Sequence, residues 1–407
     1  MPPVGIGKPR QSAELGAMAR AARPLQHRPG MVEIVEIDDP DELAGYRLAW
    51  SSWLPQTPRA TFFNTWDWLD IYWRHFGGGQ RLRALVARSE SGPIGVLPLC
   101  VRTERRAIGR VRVVTDPLDG WGTWFGPVGS NRAVATLAAM QHLRSTRRDW
   151  DIVDLRSTGP PGSDGGRVAR SMRVVGLLSE ARRYQTTSVI DLRGDWASYL
   201  ARKSRPSRHE IRRRLRRTSG DDRVEYIRHR PAPAREGDGD PRWDLFAMCE
   251  HVALASWQAA SSTGTTLTDP RVRAFFRECH AAAARAGMVD VNLLLVDGRP
   301  VAFIYNYHFQ GRLTGVRMGY DAAYGRGLGS ALMLRSIAES FARGDESYDL
   351  GPGEAPWKRS LRTHGEANYR LSYWPLGSFK SQAVRLAQWA RRSWSRPGEE
   401  LEKKAPA

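Results

Sequence analysis

Apolar and polar positions along the chain follow two patterns. Short apolar runs broken by turn residues alternate with stretches in which apolar residues recur every three or four positions, and this predicts a mixed α/β protein. Met31-Val-Glu-Ile-Val-Glu-Ile reads as an opening strand. Leu82 to Ala87, Ser89-Glu-Ser-Gly and Ile94 to Val101 read as a strand, a turn and a second strand. Asn292 to Val296, Asp297-Gly298-Arg-Pro and Val301 to Phe309 repeat that order, with Asp-Gly as a hairpin signal. Each hairpin leads to more strand-like sequence, then to a helix at about Asn131 to Ser145 or Gly329 to Arg343. A short strand follows, expected to end at Asp154-Leu155 or Asp349-Leu350. A unit written twice predicts two mixed β-sheets flanked by helices rather than one doubly wound sheet.

The ends and linkers read differently. Residues 1–30 are rich in Pro, Gly, Ala and Arg without periodicity, which fits a flexible arm or an over-called start with Met31 as the initiator. Ser157 to Gly166 and His229 to Pro241 read as loops. Val384, Leu386, Trp389 and Trp394 predict an amphipathic C-terminal helix that Pro397 ends. The expected division is an arm (1–30), a first domain (31–175), a second (176–380, including a basic helix over 199–217) and a helix with tail (381–407).

Composition narrows the class. No apolar run approaches the roughly 18 residues that span a bilayer, and the first 30 residues lack a signal-peptide core, so a cytoplasmic protein is expected. The 3 cysteines, Cys100, Cys249 and Cys279, fit a reducing compartment and exclude a disulfide framework. The net charge is +19, yet the lysines number only six against 56 arginines, which reads as a spread-out surface skew that suits a polyanionic ligand. The 9 histidines show no metal-ligand spacing, and no serine-nucleophile elbow appears.

The most specific local chemistry lies in Tyr320-Asp-Ala-Ala-Tyr-Gly-Arg-Gly-Leu-Gly-Ser-Ala-Leu. A strand closing at Arg317, Met318 and Gly319, a glycine-rich turn and a helix with an apolar stripe at Leu334, Ile337, Ala338 and Phe341 give, in that order, an anion-binding geometry. The turn lacks the Lys-Ser/Thr of a nucleotide P-loop, and its glycines miss the dinucleotide spacing. Backbone amides and Arg326 without a metal partner suit the diphosphate of a coenzyme A.

Arg326-Gly327-Leu328-Gly329-Ser330-Ala331 resembles the R/Q-x-x-G-x-G/A pyrophosphate loop of the GNAT acetyltransferase superfamily. A wider resemblance, over about residues 60 to 375, is to the cellulose-biosynthesis-associated (CelD/BcsL-like) acetyltransferases, tandem-GNAT relatives of the FemAB-type aminoacyltransferases. It is carried by Thr65-Trp66-Asp67-Trp68-Leu69 with Trp73 and Phe76, Val96-Leu97-Pro98-Leu99, Asp154-Leu155, the basic stretch Arg202 to Arg217, Trp257, Tyr320-Asp321, the glycine loop, and Asp349-Leu-Gly-Pro-Gly-Glu-Ala-Pro-Trp-Lys358. The resemblance implies tandem GNAT-like domains and an acyl-CoA, most simply acetyl-CoA, as co-substrate without a metal. It implies direct N- or O-acyl transfer to a sugar, polysaccharide precursor or small metabolite. The acyl carbonyl is placed near Arg317 to Tyr320, and Lys358 is given charge stabilisation on the acyl oxygen. Where the family usually has Tyr before that lysine, this chain has Trp357, which leaves Tyr320, Tyr324 or Tyr305 to return a proton.

Asp349 and Glu354 are the nearest carboxylates for general-base work, unranked by the sequence. A tRNA-dependent aminoacyltransferase and a non-catalytic nucleic-acid binder on the same scaffold are the rivals. The arginine-rich run has no interleaved aromatics for base stacking, which disfavours nucleic acid. The stretch Gly126-Pro-Val-Gly-Ser-Asn131 in the first half lacks the basic residue and glycine pattern, so that half is expected to be scaffold and acceptor side.

Overall fold

The computed structural model describes residues 32–394 apart from 107, 118–121, 123, 124, 161, 162, 217, 219, 261–265 and 326. Their strands are β1 (Glu33–Ile37), β2 (Gln80–Ser89), β3 (Gly92–Arg106), β4 (Gly109–Thr115), β5 (Val128–Gly129), β6 (Ile152–Thr158), β7 (Glu180–Asp191), β8 (Val224–His229), β9 (Val289–Val296), β10 (Arg299–Phe309), β11 (Arg312–Tyr320), β12 (Ser347–Pro352) and β13 (His364–Tyr373). All 13 join one sheet in the order β1-β2-β3-β4-β6-β13-β7-β12-β11-β10-β9-β8, with β5 beside β3.

The order is nearly palindromic, because the unit legible in the sequence occurs twice. The β2-β3 and β9-β10 hairpins are antiparallel, and Asp297 and Gly298 turn the second at φ +50° and +74°, the left-handed pair its Asp-Gly turn requires. In each half a helix, Arg132–Ser145 or Leu328–Ala342, crosses over to make a parallel pair, β4 with β6 and β11 with β12. The Asp-Leu pairs lie inside β6 and β12 rather than at their ends. At the centre the halves exchange edges: β7 pairs with β12, β13 with β6, and β7 with β13. Two separate sheets were expected; the exchange fuses them.

Aromatic packing binds the halves further. Trp68, on the Trp66–Phe76 helix, meets Phe275 edge-on at 5.1 Å, and Phe62 lies 4.7 Å from Tyr307 of β10. Trp66 and Trp68 are therefore buried packing residues, as their apolar spacing suggested. The basic stretch is two helices, Trp196–Ala201 and Arg205–Arg216, broken where Ser204 caps the second: the Ser207 N–H donates to its hydroxyl at 3.3 Å. Ile211 is buried and Leu215 half-buried against the Leu328–Ala342 helix, so the arginines face outward.

A buried polar network fastens that helix to the sheet. Asp290 accepts from Arg228 at 2.9 Å, Arg230 at 2.8 Å and Asn292 at 2.6 Å, while Arg228 also donates to the Ser340 hydroxyl at 2.9 Å. Arg230 completes a two-pronged pair with Asp345, which also takes His308 at 3.3 Å, so His308 serves this network. Asp290→Ala is expected to destabilise the protein by about 3–5 kcal/mol, read in a denaturant melt, because buried Arg228 loses its hydrogen-bonded carboxylate and Arg230 one of its two, leaving Asp345 to serve both.

Candidate active site

The second half's strand and helix build the site. On β11 one residue is extra: Tyr305 opposes Arg317 and Asn306 opposes Gly315, which leaves Val316 as a bulge. A bulge bends its strand. Pairing of β11 with β12 covers only Arg312 to Thr314 against Ser347 to Asp349, and beyond it the ladder ends. Where it ends the backbones nearly touch. A Cβ on Gly351, at φ +80°, would stand 3.3 Å from the Gly315 carbonyl oxygen and 3.8 Å from Lys358 Nζ, so only glycine fits there.

After β11 the chain makes a short turn, Ala322–Tyr324, and enters the Leu328–Ala342 helix through Gly327 at φ +97°. No side chain caps that helix. The Ala331 N–H already donates to the Gly327 carbonyl at 2.9 Å and its methyl is buried, so the amides offered forward are those of Leu328, Gly329 and Ser330. With the helix dipole behind them they favour an anion. Gly329 packs against Tyr320, whose ring would lie 2.9 Å from any Cβ, and Leu328 is half-buried in the core beneath. Arg326 lies outside the described residues.

The matching helix of the first half is closed. There the Asn131 side chain accepts the Val134 N–H at 3.3 Å, and Gly129 is pressed onto Ile94 and Gly95.

Arg317 is half-buried, its guanidinium 5.5 Å over the Phe276 ring and donating to the Val316 carbonyl at 2.5 Å; burial lowers it to about 10. The Met318 carbonyl accepts from the buried Gln258 amide, which fixes this stretch of β11. Nothing in the sequence around Gln258 signals that role.

Lys358 sits on the short helix Pro356–Leu361 and donates to the carbonyls of Pro352 at 2.7 Å and Gly351 at 3.3 Å. Two of an ammonium's three donors are thus directed at the end of the β11–β12 pairing. Burial lowers Lys358 to about 8, opposed by the charge of Asp349. Asp349 accepts the Gly351 N–H at 2.8 Å, yet burial still raises it to about 6. Its counterpart in the first half is the reverse case. Burial would raise Asp154, but hydrogen bonds and charge from Arg370, aided by Arg156 and Arg106, hold it below the ordinary carboxylate range. Equivalent strand positions therefore hold a carboxylate tied down by arginines and one poised near neutrality.

Other expected residues are placed elsewhere. Glu354 is exposed and paired with Arg362 at 3.1 Å. Tyr305 is buried, 3.0 Å from the His280 ring, which removes it from the cleft; Tyr324 is exposed. Lys203 is a residue that the sequence reading passed over within the arginine run. It donates to the carbonyls of Ser360, Leu361 and Arg362 at 2.9, 2.8 and 3.1 Å, and so closes the C-terminus of the helix that carries Lys358. Its being one of six lysines was the available signal.

One cavity reaches Asp349, and a second shares two of its lining residues. One of about 240 Å³ is lined by Asp349, Thr314, Arg312 and His364; another of about 400 Å³ lies among Gly126, Pro127, Arg132, Gly159 and Arg167. Arg59 and Glu366 line both. They are paired at 2.7 Å, and Arg59 holds φ +62°, a strained conformation for a non-glycine residue.

Residues 205–359 match the family described as an acetyltransferase (GNAT) domain. That domain makes the protein an acyltransferase, and its matched residues include β11, the glycine turn, the uncapped helix and Lys358. No curated protein matches the chain. Among solved structures, FemX shares 10% identity at a TM-score of 0.56, over 87% of this chain and 99% of its own. The C-terminal domain of a putative lysylphosphatidylglycerol synthetase from Agrobacterium fabrum shares 14% at 0.53, over 86% and 96%. L-PGS from Bacillus licheniformis shares 13% at 0.50, over 88% and 98%. These likenesses concern the fold, which is of the tandem GNAT type.

Proposed function

We propose that the protein transfers an acyl group, acetyl in the first instance, from coenzyme A directly to an amine or hydroxyl of a saccharide or small-metabolite acceptor. The observation that carries this reading is the helix mouth at Gly327–Ser330, which follows β11, together with the end of the β11–β12 pairing at Asp349 and the Lys358 ammonium held on the Gly351 and Pro352 carbonyls that follow it. The amides of Leu328, Gly329 and Ser330, with Arg326, hold the diphosphate; Arg317 and Met318 flank the pantetheine arm. The bound thioester supplies the activated acyl group. The narrower CelD/BcsL-like kinship belongs to this reading. So does a cytoplasmic setting, for which the three free, buried cysteines speak.

Asp349 takes the proton from the attacking acceptor nitrogen or oxygen, since a carboxyl poised near 6 is a base at neutral pH. Lys358 stabilises the negative charge that builds on the acyl oxygen as the nucleophile adds and the carbon–sulfur bond breaks. Tyr320, set against Gly329, is placed to return a proton to the departing thiolate. The cavity with Arg59, Arg132 and Arg167 receives the acceptor, which makes residues 31–175 the acceptor side and 176–380 the donor side.

The pH profile follows from the two shifts. Asp349 must be ionised and Lys358 protonated, so kcat/KM is expected to rise through about pH 6 and fall above about pH 8. Thiol release from acetyl-CoA with a panel of amine and hydroxyl acceptors measures it; a profile flat across that window contradicts the pair. Aminoacyl transfer from charged tRNA, as in the FemAB-type proteins that the sequence resembles, is the second reading, favoured by the arginine-rich helix Arg205–Arg216. Thermal shift with acetyl-CoA against charged tRNA separates the two.

A further inference from the structure

The helix Phe379–Trp394 has two unlike faces. Ser381 and Val384 are buried, Val384 against Val111, Val113 and Ile152 of the first half and Trp374 just after β13. At 100° per residue the opposite side presents Phe379, Ala383, Leu386 and Ala390 in one line with Trp389 at its edge. That side is largely exposed: Phe379 is 90% exposed, Leu386 63% and Trp389 63%, and Leu376 in the preceding turn is 82% exposed. Of the apolar residues Val384, Leu386 and Trp389 that predict this helix, only Val384 is buried.

Charge selects what covers the stripe. Lys380, which pairs with Asp151 at 3.3 Å, and Arg391 border it on one side and Arg385, over the Trp374 ring at 5.8 Å, on the other, and Arg392 and Arg396 follow in sequence. Residues 374–398 contain no Asp or Glu, in a chain of net charge +19. A second copy would bring two such cationic helices together, whereas an anionic lipid surface complements the basic borders and accepts Phe, Leu and Trp at the headgroup boundary. We propose that this helix docks the protein on anionic bilayers, lying in the interface plane. The helix has 16 residues, and none among those described is long and apolar enough to cross a membrane. The proposal is independent of the acyl-transfer reading.

Co-sedimentation of the full chain with phosphatidylcholine vesicles, with and without phosphatidylglycerol, tests it. Binding is expected only with phosphatidylglycerol, to weaken with salt as the charges are screened, and to fall about fivefold in Arg391→Gln. The triple variant Phe379→Ser, Leu386→Ser, Trp389→Ser is expected to lose at least about tenfold in partition while melting as wild type, because the three side chains are exposed. Wild-type vesicle binding by the triple variant would overturn the proposal. So would absence of binding to phosphatidylglycerol, or a dimer in sedimentation velocity that the triple substitution dissociates.

Discussion

Lys358→Met is expected to lower kcat by about 10²–10³-fold, the usual loss when one preorganised oxyanion donor is removed, with CoA affinity unchanged. The lysine is on a different element, the Pro356–Leu361 helix, from the amides of Leu328, Gly329 and Ser330, so diphosphate binding is not expected to depend on it. Its ammonium is held by the Gly351 and Pro352 carbonyls, so it is aimed before substrate arrives. Methionine keeps the stem's packing and removes the charge together with the hydrogen bonds to Gly351 and Pro352. A fall in CoA affinity as large as the fall in kcat would instead make Lys358 a binding residue. Steady-state kinetics with direct CoA titration distinguish the two.

Ser330→Glu is expected to weaken CoA binding by at least about 100-fold, since a carboxylate facing a diphosphate at contact range costs several kcal/mol even with substantial screening. The same change should raise the melting temperature slightly, because an acidic residue in the first helical turn stabilises a helix by about 0.3–1 kcal/mol. Opposite signs for stability and affinity make the result hard to mimic by misfolding. Gly329 is the less useful position: its Cβ would press on Tyr320, mixing steric and electrostatic effects. Thermal melts without ligand and calorimetric titration with CoA give the two readouts.

Local patterns made much of this legible. Asp297-Gly298 announced a hairpin, the glycines at 325, 327 and 329 announced a turn into a helix, and the repeat announced two copies of one unit. The edge exchange was not legible. His364–Tyr373 is a strand whose alternation says nothing about which neighbour it takes, and its partners β6 and β7 lie about 175–220 residues away in the chain. That exchange also decides the chemistry. Arg370 of β13 satisfies Asp154, while Asp349, in the same position of the other half, has Gly351 and Thr187 in its place. The pair Asp154-Leu155 and Asp349-Leu350 looks alike in sequence because the difference is supplied by residues far along the chain. Ser204 and Pro206 at the start of Arg205–Arg216 carried the signal of a break in the basic stretch, in the form of a cap and an N-terminal proline.

The central claim is that the mouth of the second half's helix, and not that of the first, holds the diphosphate of coenzyme A. Hydrogen–deuterium exchange of the intact protein with and without CoA measures both ends at once. The account predicts slowed exchange in peptides covering residues 316–332 and no change over 126–136, where the Asn131 side chain already caps the helix at the Val134 amide. Protection over 126–136, or none over 316–332 at saturating CoA, would contradict it.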